Sequence, residues 1–92
     1  MESIELKENE RIDILKNGNK IIQDEKRFCF GIDAVLLSNF ADTRKNNVVV
    51  DLCTGTGIVP LLMESKTNAL KFYGIEIQHD SWSMANRSVQ LN

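Results

Sequence analysis

Long apolar runs are missing from this 92-residue sequence. The longest, such as the stretch from Ile58 to Met63, is interrupted by Pro60. Crossing a bilayer as a helix takes roughly 18–20 apolar residues, so no membrane role is expected. The first residues, Met1-Glu2-Ser3-Ile4-Glu5, are acidic and lack an apolar centre. That excludes a secretory signal and makes the cytoplasm the expected location. One proline and five glycines are too few for a collagenous or low-complexity chain. There are only two cysteines, Cys29 and Cys53, and they match no metal-ligand spacing. A small disulfide scaffold would carry more, so both are expected as reduced, partly buried thiols, and no metal is expected.

Charge of one sign is also scarce. The net charge is −2, from 11 basic and 13 acidic residues. Four glutamates face Lys7 in residues 1–10, seven basic residues face five acidic ones in 11–45, and three face four in 46–92. This is not the basic stripe of a nucleic-acid footprint. Lys16, Lys20, Lys26 and Arg27 read as solvated hairpin and loop charges. What remains is ordinary globular composition, 42% hydrophobic and 26% charged. The length allows one small domain at most and is short for most enzyme folds.

Hydrophobic patterning divides the chain into an acidic tail (1–10), a hairpin-and-helix lead-in (11–45) and a β-α-β-α unit (46–92). Residues 11–16 alternate, with Ile12 and Ile14 on one face. Asn17-Gly18 suits a tight turn, and residues 20–23 return with Ile21 and Ile22. Asp33 is placed to cap a helix running to Ala41, with Ala34, Leu37 and Ala41 on one face. Val48-Val49-Val50-Asp51-Leu52 predicts a strand buried on both faces, as in a parallel sheet. After the loop Cys53-Thr54-Gly55-Thr56-Gly57, residues 58–65 predict a short helix with Pro60 in its first turn. Residues 71–77 predict a second strand. Residues 80–91 predict a helix with Trp82, Ala85 and Val89 on its packed face. The predicted class is α/β, with a right-handed parallel crossover.

The chemistry sits at the strand ends. Asp51 closes one strand, a glycine loop follows, and Glu76 closes the next strand, 19 positions after Gly57. That is the layout of a nucleoside-binding half-unit. A carboxylate such as Glu76 can accept two hydrogen bonds from ribose hydroxyls. Pro60 stands where a dinucleotide fingerprint has its third glycine, and no lysine adjoins the loop as in a P-loop. An acid ahead of the glycines would repel pyrophosphate and attract an amino group. S-adenosylmethionine, a nucleoside that carries an amino acid, fits both ends.

Val49 to Gly57 and Gly74-Ile75-Glu76-Ile77-Gln78 resemble the first two motifs of class I S-adenosylmethionine-dependent methyltransferases. With them go Leu15-Lys16-Asn17-Gly18, Ile22-Gln23, the stretch from Phe28 to Leu37 and the stretch from Met84 to Asn92. These resemble the bacterial tRNA (adenine-N6)-methyltransferases that act beside the anticodon of a valine tRNA. The resemblance runs from about residue 11 onward. It implies a Rossmann-like doubly wound sheet, of which this chain is the N-terminal part, preceded by a hairpin and a helix. It implies S-adenosyl-L-methionine as cofactor and tRNA as partner.

By that resemblance, Asp51 orders the loop and faces the methionine amino group. Cys53, Thr54, Gly55 and Gly57 line the methionine side. Glu76 holds the ribose and Ile77 covers adenine. Phe30, Gly31 and Asp33 fold over the methionine end. Cys53 departs from the pattern, since the family has glycine there. The family's Asn/Asp-Pro-Pro-aromatic tetrad is not in these 92 residues, so no catalytic residue is assigned and the chain alone is expected to be inactive. Related families sharing this start methylate rRNA guanine or a protein glutamine, and a non-catalytic cofactor-binding module is a further alternative. A nicotinamide half-domain is disfavoured by Pro60. Phe28 and Phe30 read as core or platform residues, Trp82 as packing, and His79 as a surface residue at the rim of the site.

Overall fold

Residues 4–92 are described by the computed structural model, so Met1, Glu2 and Ser3 of the expected tail lie outside the described residues. The chain order is β1 (Glu10–Ile14), β2 (Lys20–Asp24), α1 (Ile32–Phe40), β3 (Val48–Leu52), α2 (Ile58–Met63), β4 (Lys71–Ile75) and α3 (His79–Leu91). The architecture is α/β. Its strands form two separate two-stranded sheets, antiparallel β1–β2 and parallel β3–β4.

The hairpin closes with a longer turn than Asn17-Gly18 alone would make. The strands pair from Glu10 opposite Asp24 to Ile14 opposite Lys20. Beyond them Leu15 N–H donates to the Asn19 carbonyl at 2.8 Å, and Gly18 N–H to the Leu15 carbonyl at 2.9 Å. Only Gly18 of the pair takes a left-handed conformation (φ +88°), which corrects the expected two-residue turn. This is a three-residue loop with a left-handed glycine as its last residue. Asn17 instead reaches across to another element, where its side-chain amide donates to the Leu61 carbonyl at 2.9 Å. Asn19 does the same at 2.9 Å, so the turn satisfies the carboxyl end of α2.

The core lies beneath this hairpin. Leu15, Ile21, Ile58, Leu61 and Leu62 form one buried cluster, with Phe30, Ala34, Val35 and Val59 packed against it. Ile21 and Ile22 point to opposite faces of β2, and both are 0% exposed. On α3, Ser88 accepts a hydrogen bond from Ile22 N–H at 2.8 Å. The Asn92 side chain both accepts from Lys20 N–H and donates to the Lys20 carbonyl, each at 2.7 Å. A nearly buried ion pair locks the same contact. Arg87 meets both oxygens of Glu10, at 2.6 and 2.7 Å. The Arg87 guanidinium holds the Glu10 carboxyl below its ordinary value, and Glu10 in turn raises that of Arg87.

Ile12 and Ile14 share one face of β1, as expected, and that face turns outward, with Ile14 71% exposed. Several expectations need correcting. β3 is not buried on both faces: Val48, Val50 and Leu52 are all more than half exposed, because its sheet has only one neighbour strand and one covered face. Asp33 does not cap α1. Gly31 is the capping residue and Asp33 lies inside the first turn. The packed face of α1 is Ala34, Val35 and Ser38; Leu37 is exposed and Ala41 follows the helix. α3 buries Met84 and Ser88, while Trp82 and Val89 are exposed. Both cysteines are free, but Cys53 is exposed rather than partly buried.

Candidate functional site

β3 and β4 run side by side in parallel, with Asp51 opposite Gly74 and Leu52 opposite Ile75. Parallel pairing puts both carboxyl ends at one edge, so Asp51 and Glu76 meet there. The loop between β3 and α2 is drawn across this edge. Thr54 N–H donates to the Ile75 carbonyl at 2.9 Å, which extends the ladder by one bond. The Thr54 hydroxyl turns back and donates to Asp51 Oδ2 at 2.6 Å. Gly55 N–H donates to Glu76 Oε1 at 2.8 Å, and Gln78 N–H to Glu76 Oε2 at 3.0 Å. Glu76 thus ties the glycine loop to the start of α3. A carboxylate offers about four lone-pair positions, so two remain open on Glu76 after these bonds.

Conformation, more than crowding, demands the loop glycines. Gly55 and Gly57 lie at φ +62° and +88°. A Cβ on Gly55 would meet nothing within 4 Å, and one on Gly57 would make only ordinary contact with Ala85. Gly57 caps α2 in that left-handed state. Cys53 shares it at φ +59°, against the negative φ that a non-glycine residue prefers.

A cavity of about 740 Å³ opens over this edge. Phe30, Asp33, Asp51, Cys53, Thr54, Gly55, Glu76 and Ile77 all line it. Gly31 and Gly57 do not; they act from behind as the caps of α1 and α2. The size is that of a small-molecule site, which usually spans about 300–1,000 Å³. Ile77 is 97% exposed on its rim. Three carboxylates, from Asp33, Asp51 and Glu76, share the wall with Arg27. Arg27 is itself paired with Asp24 and Asp80, so the wall favours a cationic or hydroxyl-bearing ligand over a phosphate.

Sequence reasoning missed Arg27, Gln78, Ser81 and Met84 in this wall. The signal for the last three was available: the first turns of a helix following a strand-end acid share the edge with that acid. Phe28 also lines the cavity and is strongly exposed, so of the two roles expected for it, core or platform, the core role is excluded. Phe30 packs against the core and reaches the cavity as well. His79 is exposed, with its ring 5.5 Å from that of Trp82. Among the described residues, no group of His, Cys, Asp and Glu side chains is arranged to hold a metal ion. No helix among them is long and apolar enough to cross a membrane.

No protein-family model matches the chain. Over 64 residues, 68% of its length, the chain is 33% identical to the tRNA1(Val) (adenine(37)-N6)-methyltransferase of Flavobacterium johnsoniae. The matched part is 27% of that protein, so the chain spans about a quarter of this curated relative. The similarity supports a methyltransferase family for the chain, without fixing the subtype.

Proposed function

We propose that this chain is the cofactor-holding portion of an S-adenosyl-L-methionine-dependent methyltransferase that acts on N6 of adenine in tRNA. One observation carries the reading. Two strand-end carboxylates, Asp51 and Glu76, converge through hydrogen bonds on one glycine loop and line one cavity. The name of the similar Flavobacterium protein supports the substrate class. The two β3–β4 strands are then the first pair of a larger, Rossmann-like doubly wound sheet.

The side chains present suit this cofactor. Glu76 keeps two acceptor positions for the ribose hydroxyls. Asp51 keeps Oδ1 for an ammonium group, with Oδ2 held by Thr54. Ile77, exposed at the rim, offers an apolar face to adenine, and the acidic wall suits a cation. When bound, the cofactor supplies a methyl group on a positively charged sulfur. Phe30 and Asp33, brought to the cavity by the start of α1, close its methionine end and exclude water. The chain holds and orients; no residue in it is assigned to activating the base, and the 92 residues alone should not transfer methyl groups.

Isothermal titration of the chain with S-adenosylhomocysteine tests the reading. Binding that falls more than tenfold in Glu76→Ala is expected. No heat from a folded sample at high protein concentration would overturn it.

A further inference from the structure

Gly74 is the one glycine of the chain whose missing side chain is required by space. It lies inside β4 and is not among the glycines with positive φ, so its backbone would accept any residue. Yet a Cβ built on it would stand 2.8 Å from Thr54 Cγ2, 3.0 Å from Thr54 Oγ1 and 3.1 Å from Thr54 Cβ. Real Cβ atoms essentially never come within 3.0 Å of a neighbour. Thr54 is buried, and its N–H is bonded to Ile75, so it cannot easily step aside. Gly74 is also the cross-strand partner of Asp51. Thr54 therefore occupies the space beside Asp51 that a side chain at position 74 would normally fill.

We propose that Gly74 and Thr54 are positioning residues for the amino-acid end of the ligand. Gly74 provides the seat, Thr54 sits in it, and the Thr54 hydroxyl fixes Asp51 with one oxygen directed at the ligand's amino group. This deepens the function proposed above and rests on it for the ligand. The seat itself rests only on the geometry. A carboxylate held in one orientation before binding loses less freedom on binding, which raises affinity for the group it faces. The adenosine end is held from Glu76, which meets the loop at the Gly55 N–H and not at the Thr54 hydroxyl, so it should be perturbed less by changes at this seat.

The predicted signature is selective. Gly74→Ala should displace Thr54 and weaken S-adenosylhomocysteine by about tenfold, the worth of one oriented hydrogen bond to a charged group. It should leave 5′-methylthioadenosine, which has no amino acid, within about twofold. Thr54→Val, which keeps the shape but removes the hydroxyl, should show the same split with little change in fold. In the Gly74→Ala/Thr54→Ser double variant the closest clash, with Cγ2, is gone while a hydroxyl remains. It should recover most of the lost affinity.

Backbone amide NMR spectra of the ligand-free chain test the seat separately. In Gly74→Ala the Asp51, Thr54 and Gly55 signals should move, and Thr54→Ser should return them toward the wild type. If they do not move, or if Thr54→Ser gives no return, the seat is wrong. If both ligands weaken equally in Thr54→Val, the residue is merely structural and the proposal fails. If the wild type binds neither ligand, the proposed function fails while the NMR result still decides the seat.

Discussion

β2 and β3 are both five-residue strands with β-branched centres, yet they have exchanged the environments their sequences suggest. β3, with its valine run, reads as a strand enclosed on both sides. In the molecule it shows Val48, Val50 and Leu52 to solvent. β2 carries charged and amide residues around its pair of isoleucines and is the strand that is enclosed. The core residues of the first strand pair meet α2 on one side and α3 on the other. The second pair displays the cavity. The hairpin side of the core and the carboxylate edge of the site therefore lie in different parts of a small chain and can be perturbed separately, although Phe30, Ile58 and Val59 belong to both the core and the cavity wall.

The sharpest way to break this contrast is to empty the enclosed strand. Ile21→Ala removes a fully buried side chain from the central cluster and should cost about 2–5 kcal/mol, read from urea denaturation. A loss below about 1 kcal/mol would mean that the core does not lie under the hairpin. Arg87→Ala comes next. It strands the nearly buried Glu10 carboxylate and should cost about 3 kcal/mol at neutral pH. Acid should erase that difference. The Glu10 carboxyl is held below its ordinary value by Arg87, so the contribution of the pair is complete above pH about 4.5. It is lost as pH falls through the lower folded-state value. Denaturation of both proteins at a series of pH values should show the gap narrowing on the acid side; a gap independent of pH would remove the ion pair from the account.

The exposed strand and its loop should respond in the opposite way. Cys53→Gly frees the left-handed residue at the end of β3 from its steric cost and should raise stability by about 1 kcal/mol. Any decrease in melting temperature would show that the thiol makes a compensating contact. Val50→Thr, nearly isosteric on the open sheet face, should change stability by no more than about 0.5 kcal/mol. A cost as large as that of Ile21→Ala would collapse the distinction between the two strands.

The elements themselves were legible in the sequence. The order of strands and helices, the hairpin and the strand-end acids follow from local periodicity and turn chemistry. Eight of the ten candidate residues line one cavity, because parallel pairing of β3 with β4 brings both carboxyl ends to the same edge. Faces were legible less often. Trp82, Ala85 and Val89 recur at helical spacing as well as Met84 and Ser88 do, and only the docked hairpin decides which set is covered. Leu37 has the same ambiguity beside Ser38. A cysteine gives no local sign of the positive φ at position 53; the one pointer to it was the glycine that the resembled family has there. The seat for Thr54 depends on a cross-strand neighbour 20 positions away.

The bonds that join the hairpin to α3 link residues 66, 72 and 77 positions apart. During synthesis the hairpin emerges early, and the helix that covers it comes after every other described element. β1 pairs with one edge of β2 at once, but until α3 arrives the Ile22 side chain and the outward N–H groups of Lys20 and Ile22 lack their partners. Contacts of such long sequence separation form slowly, since a large loop must close before any of them is gained. Throughout that interval a hydrophobic strand is open to other nascent chains, so the region that dominates equilibrium stability is also the one most dependent on protection while the protein is being made.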